Sequence, residues 1–192
     1  MDAQKKKYFV CGGVLLSLGI VSAALLSCVN LVTAPKIEAT NAKKINDSYL
    51  EIFPSTTISE KKEVADGKYV DYYVTAYNDA EMTKEKGKIF HGSASGHDGA
   101  VEILVGFSGE AKLEKISLVS CNDSYKSLFQ KNYLDQVNNG TRDYDDLSSL
   151  GATVSSKAVK NVVAEAKELF VSFASNSDAS ANAWNDMNKE GK

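Results

Sequence analysis

From Tyr8 to Pro35 the chain carries no charged residue, and beyond Pro35 apolar positions return to periodic spacings among polar ones. About 20 apolar residues in helical form cross a bilayer core, so the uncharged run predicts a membrane-spanning helix over 8–35 behind a short N-terminus, 1–7. Ile45, Tyr49 and Phe53 then recur at helical spacing; they predict a stalk segment over 36–55, helical from about 37 to 53 and stopped before Pro54. Four stretches, 68–77, 87–94, 99–108 and 112–120, read as strands. Val101, Ile103, Val105 and Phe107 alternate on one face, and residues 107–111 form a compact turn, a pattern that predicts an antiparallel sheet with one covered face. Residues 123–138 read as helical or irregular, with Leu128, Tyr133, Leu134 and Val137 as buried positions, and Asn138-Asn139-Gly140 breaks the chain. A last helix is predicted from Ser156 to about Ala174, with Val159, Val162, Val163, Ala166, Leu169, Phe170 and Phe173 on one face. A polar tail over 176–192, with Trp184 in it, has little to bury. The class expected is α+β: one transmembrane helix, then an antiparallel sheet with flanking helices.

Composition narrows the function classes. With 192 residues there is room for an anchor and one domain. The formal net charge of -3 offers nothing to a polyanion, which argues against nucleic acid as a partner. Cys11 and Cys28 fall in the apolar run and leave Cys121 alone in the polar part, so no disulfide can form inside that part. His91 and His97 have no cysteine near them and no metal-ligand spacing. Two rivals to a retained span stand beside it: a cleaved signal peptide ending at Ser22-Ala23-Ala24, and a lipid-anchored Cys28. Against both, the apolar run continues past these positions. Lys5, Lys6 and Lys7 precede the span and Lys36, Lys43 and Lys44 follow it; the tight first cluster favours a cytoplasmic N-terminus and a domain outside the cell membrane.

The segment with chemical promise is 147–163, LSSLGATVSSKAVKNVV. A small-residue turn of Gly151, Ala152 and Thr153 leads through Ser155 and Ser156 into the last helix. The free N–H groups and positive dipole end of a helix start favour a phosphate, and a hydroxyl placed there can bond to it or be joined to it. An N-cap role for Ser155 or Ser156 explains the same serines without any ligand.

Gly151-Ala152-Thr153-Val154-Ser155-Ser156 resembles the S/T-G-A-T-x-T/S signature of FMN-binding domains, such as the flavin-bearing subunits of Rnf-type electron transport complexes and of Na+-translocating NADH:quinone reductases. The likeness extends, in order and spacing, over roughly residues 8–175: Leu31 to Ile37 after the span, Glu51-Ile52-Phe53-Pro54, Gly99 to Phe107, and Tyr133-Leu134-Asp135-Gln136-Val137 before the signature. The resemblance implies an FMN-binding domain over 56–175 with FMN as cofactor. It implies that Ser155 is the hydroxyl esterified to the FMN phosphate by a flavin transferase, that Thr153 orients the phosphate or the hydroxyl, and that Gly151, Ala152 and Ser156 complete the cofactor contacts. Three positions depart from the pattern: Leu150 stands where the family has Ser or Thr, Asp146 lies about one place too far upstream, and 121–126 (CNDSYK) replaces a Glu-Thr-Pro-Gly-type loop.

The resemblance further implies an electron-carrying subunit rather than a complete enzyme. Its partners are membrane lipid, the transferase and the other membrane subunits of an ion-translocating oxidoreductase complex. Two alternatives share these residues: a stand-alone extracytoplasmic flavin relay, and a flavin-free structural relative.

Overall fold

The computed structural model describes residues 3–147 and 153–187, with side chains described over 12–147 and 153–175. Two compact units divide the chain, Met1–Lys44 and Ile45–Lys192. Helix α1 (Ala3–Ile52) runs through Pro35, so the predicted span and stalk are one element. Proline takes a donor away from a helix and leaves the carbonyl four residues earlier without that partner. Within the apolar run, the Ser17 and Thr33 hydroxyls donate to the carbonyls of Val14 and Val29, at 2.9 and 2.8 Å. This helix is long and apolar enough to cross a membrane.

In the second unit, strands β3 (Val70–Tyr77), β4 (Glu85–Ser95), β5 (Ala100–Ser108) and β6 (Lys112–Cys121) form an antiparallel meander. These are the four strands expected from the alternation. Two short strands that the sequence pattern does not predict, β1 (Thr57–Ile58) and β2 (Lys62–Glu63), both pair with the free side of β3, so the order is β1-β3-β4-β5-β6 with β2 off that path. At the other edge, the Asn138 side chain takes the place of a neighbouring strand. Its Oδ1 accepts the Ile116 N–H at 2.8 Å and its Nδ2 donates to the Ile116 carbonyl at 2.9 Å, which pairs two edge groups that would otherwise lack a partner.

Both faces of the sheet are covered, where the sequence predicted one. Val101, Ile103, Val105 and Phe107 point to a core shared with helix α4 (Thr153–Met187), as expected. Val74, Ile89 and Leu104 point the other way, against Tyr49, Ile52 and Phe53 at the end of α1. The last turns of the predicted stalk are therefore part of the domain core. Gly106 makes this possible: a Cβ there would collide with Cγ2 of Ile52 and stand 3.3 Å from the Phe53 ring.

The connection after β6 is a run of short helical turns, α2 (Lys126–Phe129), a π-helical turn (Gln130–Leu134) and α3 (Asp135–Asn138). Tyr133, Leu134 and Val137 are buried as predicted, but Leu128 is exposed and its neighbour Phe129 is buried instead. The wider π turn changes the angular spacing between side chains, which a uniform helical count misses. The Tyr133 hydroxyl donates to the Tyr144 carbonyl and fixes the segment that leaves these turns.

On α4 the predicted apolar face is correct. Val159, Val162, Val163, Ala166 and Phe170 are buried, and Leu169 and Phe173 pack against them partly buried. Each buried valine or phenylalanine among them contributes roughly 1.5–3 kcal/mol by leaving water. The helix already includes Thr153, upstream of the expected start, and is described to Met187, through most of the predicted tail. Midway along it, both Glu165 carboxylate oxygens accept backbone N–H groups at the entrance to β3, from Lys68 at 2.6 Å and Tyr69 at 2.7 Å.

Candidate functional site

The register between β5 and β6 sets the site. Val101 pairs with Cys121, so the turn before β5 and the loop after β6 meet at one end of the sheet. The first turn of α4 arrives at the same end. Gly96, in the turn 96–99 closed by its N–H to the Gly99 carbonyl at 2.7 Å, faces Ser155. A Cβ at Gly96 would stand 2.7 Å from Cγ2 of Val101, 3.0 Å from the Gly99 carbonyl oxygen and 3.2 Å from Oγ of Ser155. Glycine thus keeps a backbone segment directly in front of the serine hydroxyl.

Of the predicted site residues, Thr153 is the first residue of α4 and is exposed, while Ser155 and Ser156 are buried in its first turn, with Ser155 only 1 % exposed. Gly151 and Ala152 lie outside the described residues, as does Leu150. Because α4 starts at Thr153, neither serine precedes the helix, and the N-cap reading does not hold. The Ser155 hydroxyl instead donates sideways to Oδ2 of Asp123, in the loop after β6. The other oxygen of that buried carboxylate accepts the Tyr125 N–H at 2.9 Å.

Asp123 belongs to a polar group that the sequence pattern does not assemble. Asp98, on the turn 96–99, accepts the Ser124 hydroxyl at 2.7 Å and the Ser124 N–H at 3.1 Å, and His97 Nδ1 lies 2.8 Å from its other oxygen. The Ser124 hydroxyl, then the Ser124 N–H and His97, hold the Asp98 carboxyl at about 2, below the ordinary 3.8. His97, Asp98 and Asp123 each present one ligand atom, all within 4.8 Å of one another, the first two exposed and the third buried. That is a donor set a divalent cation accepts.

One serine hydroxyl stands beside a buried carboxylate, in the first described turn of a long helix. The Ser155 hydroxyl is a phosphate acceptor by type, but it is buried behind the 96–99 turn. A separate cleft of about 450 Å³, lined by Phe107, Leu113, Val137, Arg142, Tyr144 and Lys167, lies at the other end of β5 and takes no part in this site. One signal for the missed residues was present in the sequence: acidic side chains immediately flank two strands whose pairing brings their ends together. The chain matches no model of a known protein family and no curated protein.

Proposed function

We propose that this chain is a membrane-anchored flavoprotein subunit, carrying FMN as a phosphoester on Ser155 and passing electrons within an ion-translocating oxidoreductase complex. The observation that carries this reading is the Ser155 hydroxyl itself, held on the first turn of α4 and hydrogen-bonded to the Asp123 carboxylate. The likeness of residues 151–156 to a flavin-attachment signature points to the same atom. Bound FMN supplies one- or two-electron transfer, and the protein's part is to hold it and set its surroundings. Ser155 anchors the phosphate, exposed Thr153 stands two residues away to orient it, and the positive end of α4 offsets its charge.

The membrane reading rests on α1. Its large apolar side chains from Val14 to Ile37 are exposed, and an exposed apolar surface of that length needs lipid or protein around it. The lysines at 5–7 orient the N-terminus to the cytoplasm and the domain to the extracytoplasmic side. Partners on this reading are the transferase that loads the flavin and the other membrane subunits of the complex.

The test is to produce the full chain with a flavin transferase and riboflavin, denature it, and measure intact mass and in-gel flavin fluorescence. The unsubstituted chain gains the mass of FMN less one water, Ser155→Ala gains nothing, and Ser156→Ala behaves as the unsubstituted chain. A chain that stays colourless beside an active transferase defeats the proposal. One observation favours a second reading, a flavin-free structural module: the Ser155 hydroxyl is covered, and loading must uncover it.

A further inference from the structure

We propose that the turn 96–99 is a lid over the Ser155 hydroxyl, latched shut by Asp98 on Ser124, and that it opens to expose the serine. Its part in loading rests on the FMN reading of Ser155. The turn is the tip of the β4–β5 hairpin, beyond the last strand pair, Ser95 with Ala100. Its backbone passes so close that a Cβ on Gly96 would stand 3.2 Å from Oγ of Ser155. His97, Asp98 and Gly99 are themselves exposed, while Ser155 behind the turn is buried. A single turn of chain thus lies between this hydroxyl and water on that side.

The turn is held down at few points. Among the described residues, its hydrogen bonds beyond the hairpin run to Ser124. Oδ2 of Asp98 accepts the Ser124 hydroxyl at 2.7 Å and the Ser124 N–H at 3.1 Å. His97 adds an edge contact with the Tyr125 ring, the centroids 6.3 Å apart. The Gly96 N–H closes the turn on itself through the Gly99 carbonyl at 2.7 Å, so the tip can swing as one piece. Glycine at both of its ends leaves the backbone free to do so. Exposed segments with few contacts open locally, without unfolding of the domain. The groups behind the lid are fixed by contrast. Buried Asp123 accepts the Ser155 hydroxyl through one oxygen and the Tyr125 N–H, at 2.9 Å, through the other. Opening of the latch therefore uncovers a serine that is already in place.

The experiment reads access to position 155 without any flavin. Ser155→Cys is introduced into the full chain in detergent and N-ethylmaleimide is added. Labelling of the peptide that carries position 155 is followed by mass, with urea unfolding in parallel. Addition of Asp98→Ala removes two hydrogen bonds to a carboxylate and should raise the labelling rate at least ~10-fold. Ser124→Ala keeps the backbone bond and should raise it less, and the urea midpoint should hold in both. Equal labelling rates in the three chains, or a rise that only follows a fall in the urea midpoint, overturn the lid. Should Ser155→Cys not fold, deuterium exchange of the Tyr125 N–H takes its place. Faster exchange in Asp98→Ala than in the unsubstituted chain supports the lid, and equal exchange overturns it. A flavin transferase with flavin adenine dinucleotide then separates the two readings. Faster FMN loading of Asp98→Ala supports both, whereas chains that label as expected and never load FMN overturn the FMN reading and leave the lid standing.

Discussion

At the scale of single residues, the acidic groups at the end of the sheet differ in how they are held. Asp123 is buried between two donors, whereas Asp98 is exposed and drawn down mainly by the Ser124 hydroxyl. A carboxyl whose folded-state value, about 2, lies below its ordinary 3.8 stabilises the fold above pH 4, and that contribution disappears as the pH falls toward 2. Ser124→Ala removes the largest cause and leaves the backbone N–H, so the Asp98 midpoint should rise part of the way to 3.8; His97→Ala should move it less. NMR titration of the Asp98 carboxyl measures both, and an unchanged midpoint in Ser124→Ala refutes the assignment of cause. The local signature around it singles out Ser155 in the sequence. Asp123 and Gly96 were not legible there, because they meet Ser155 only through the pairing of β5 with β6, and no local pattern reports which loop faces which helix.

At the scale of elements, the contact between α4 and the start of β3 rests on Glu165, whose two oxygens take the Lys68 and Tyr69 N–H groups. Leaving a buried N–H without a partner costs about 1–3 kcal/mol, and with one of these N–H groups half-buried and the other exposed the loss lies toward the low end, about 1 kcal/mol. Glu165→Ala should therefore lower the unfolding free energy by about that amount, with Glu165→Gln, which keeps one acceptor, near half of it. Urea unfolding decides, and a loss below about 0.5 kcal/mol in Glu165→Ala would mean that water replaces the carboxylate without cost. Strands β3 to β6 and the buried stripe of α4 were readable because each buries a periodic row of its own. Strands β1 and β2 were not: at two residues each, neither has a period, and both exist only as additions to the edge of β3. The exchange of Leu128 for Phe129 has a similar origin, since a π turn shifts the spacing that the sequence count assumes.

For the molecule as a whole, the decisive question is where the exposed apolar stretch of α1, long enough to cross a membrane, gives way to the part that packs on the domain. Residues 14–37 expose large apolar side chains that have no partner among the described residues, while Tyr49, Ile52 and Phe53 are buried against the sheet. The stretch Ile45, Tyr49 and Phe53 was visible as a helical repeat, yet a repeat cannot say whether its apolar side meets lipid, another helix or its own sheet. The second compact unit begins at Ile45, so the fragment Ile45–Lys192 should fold alone and leave the membrane fraction. Its urea midpoint should match that of the full chain in detergent, while the full chain stays with membranes through alkaline carbonate extraction. A shorter fragment beginning at Phe53 loses Tyr49 and Ile52 from the second core and should be less stable by several kcal/mol, on the order of 3–5 for large side chains removed from a packed site. Equal stability of the two fragments would show that the sheet's second face does not need α1. An Ile45–Lys192 fragment that stays with the membrane would locate part of the anchor in the domain itself.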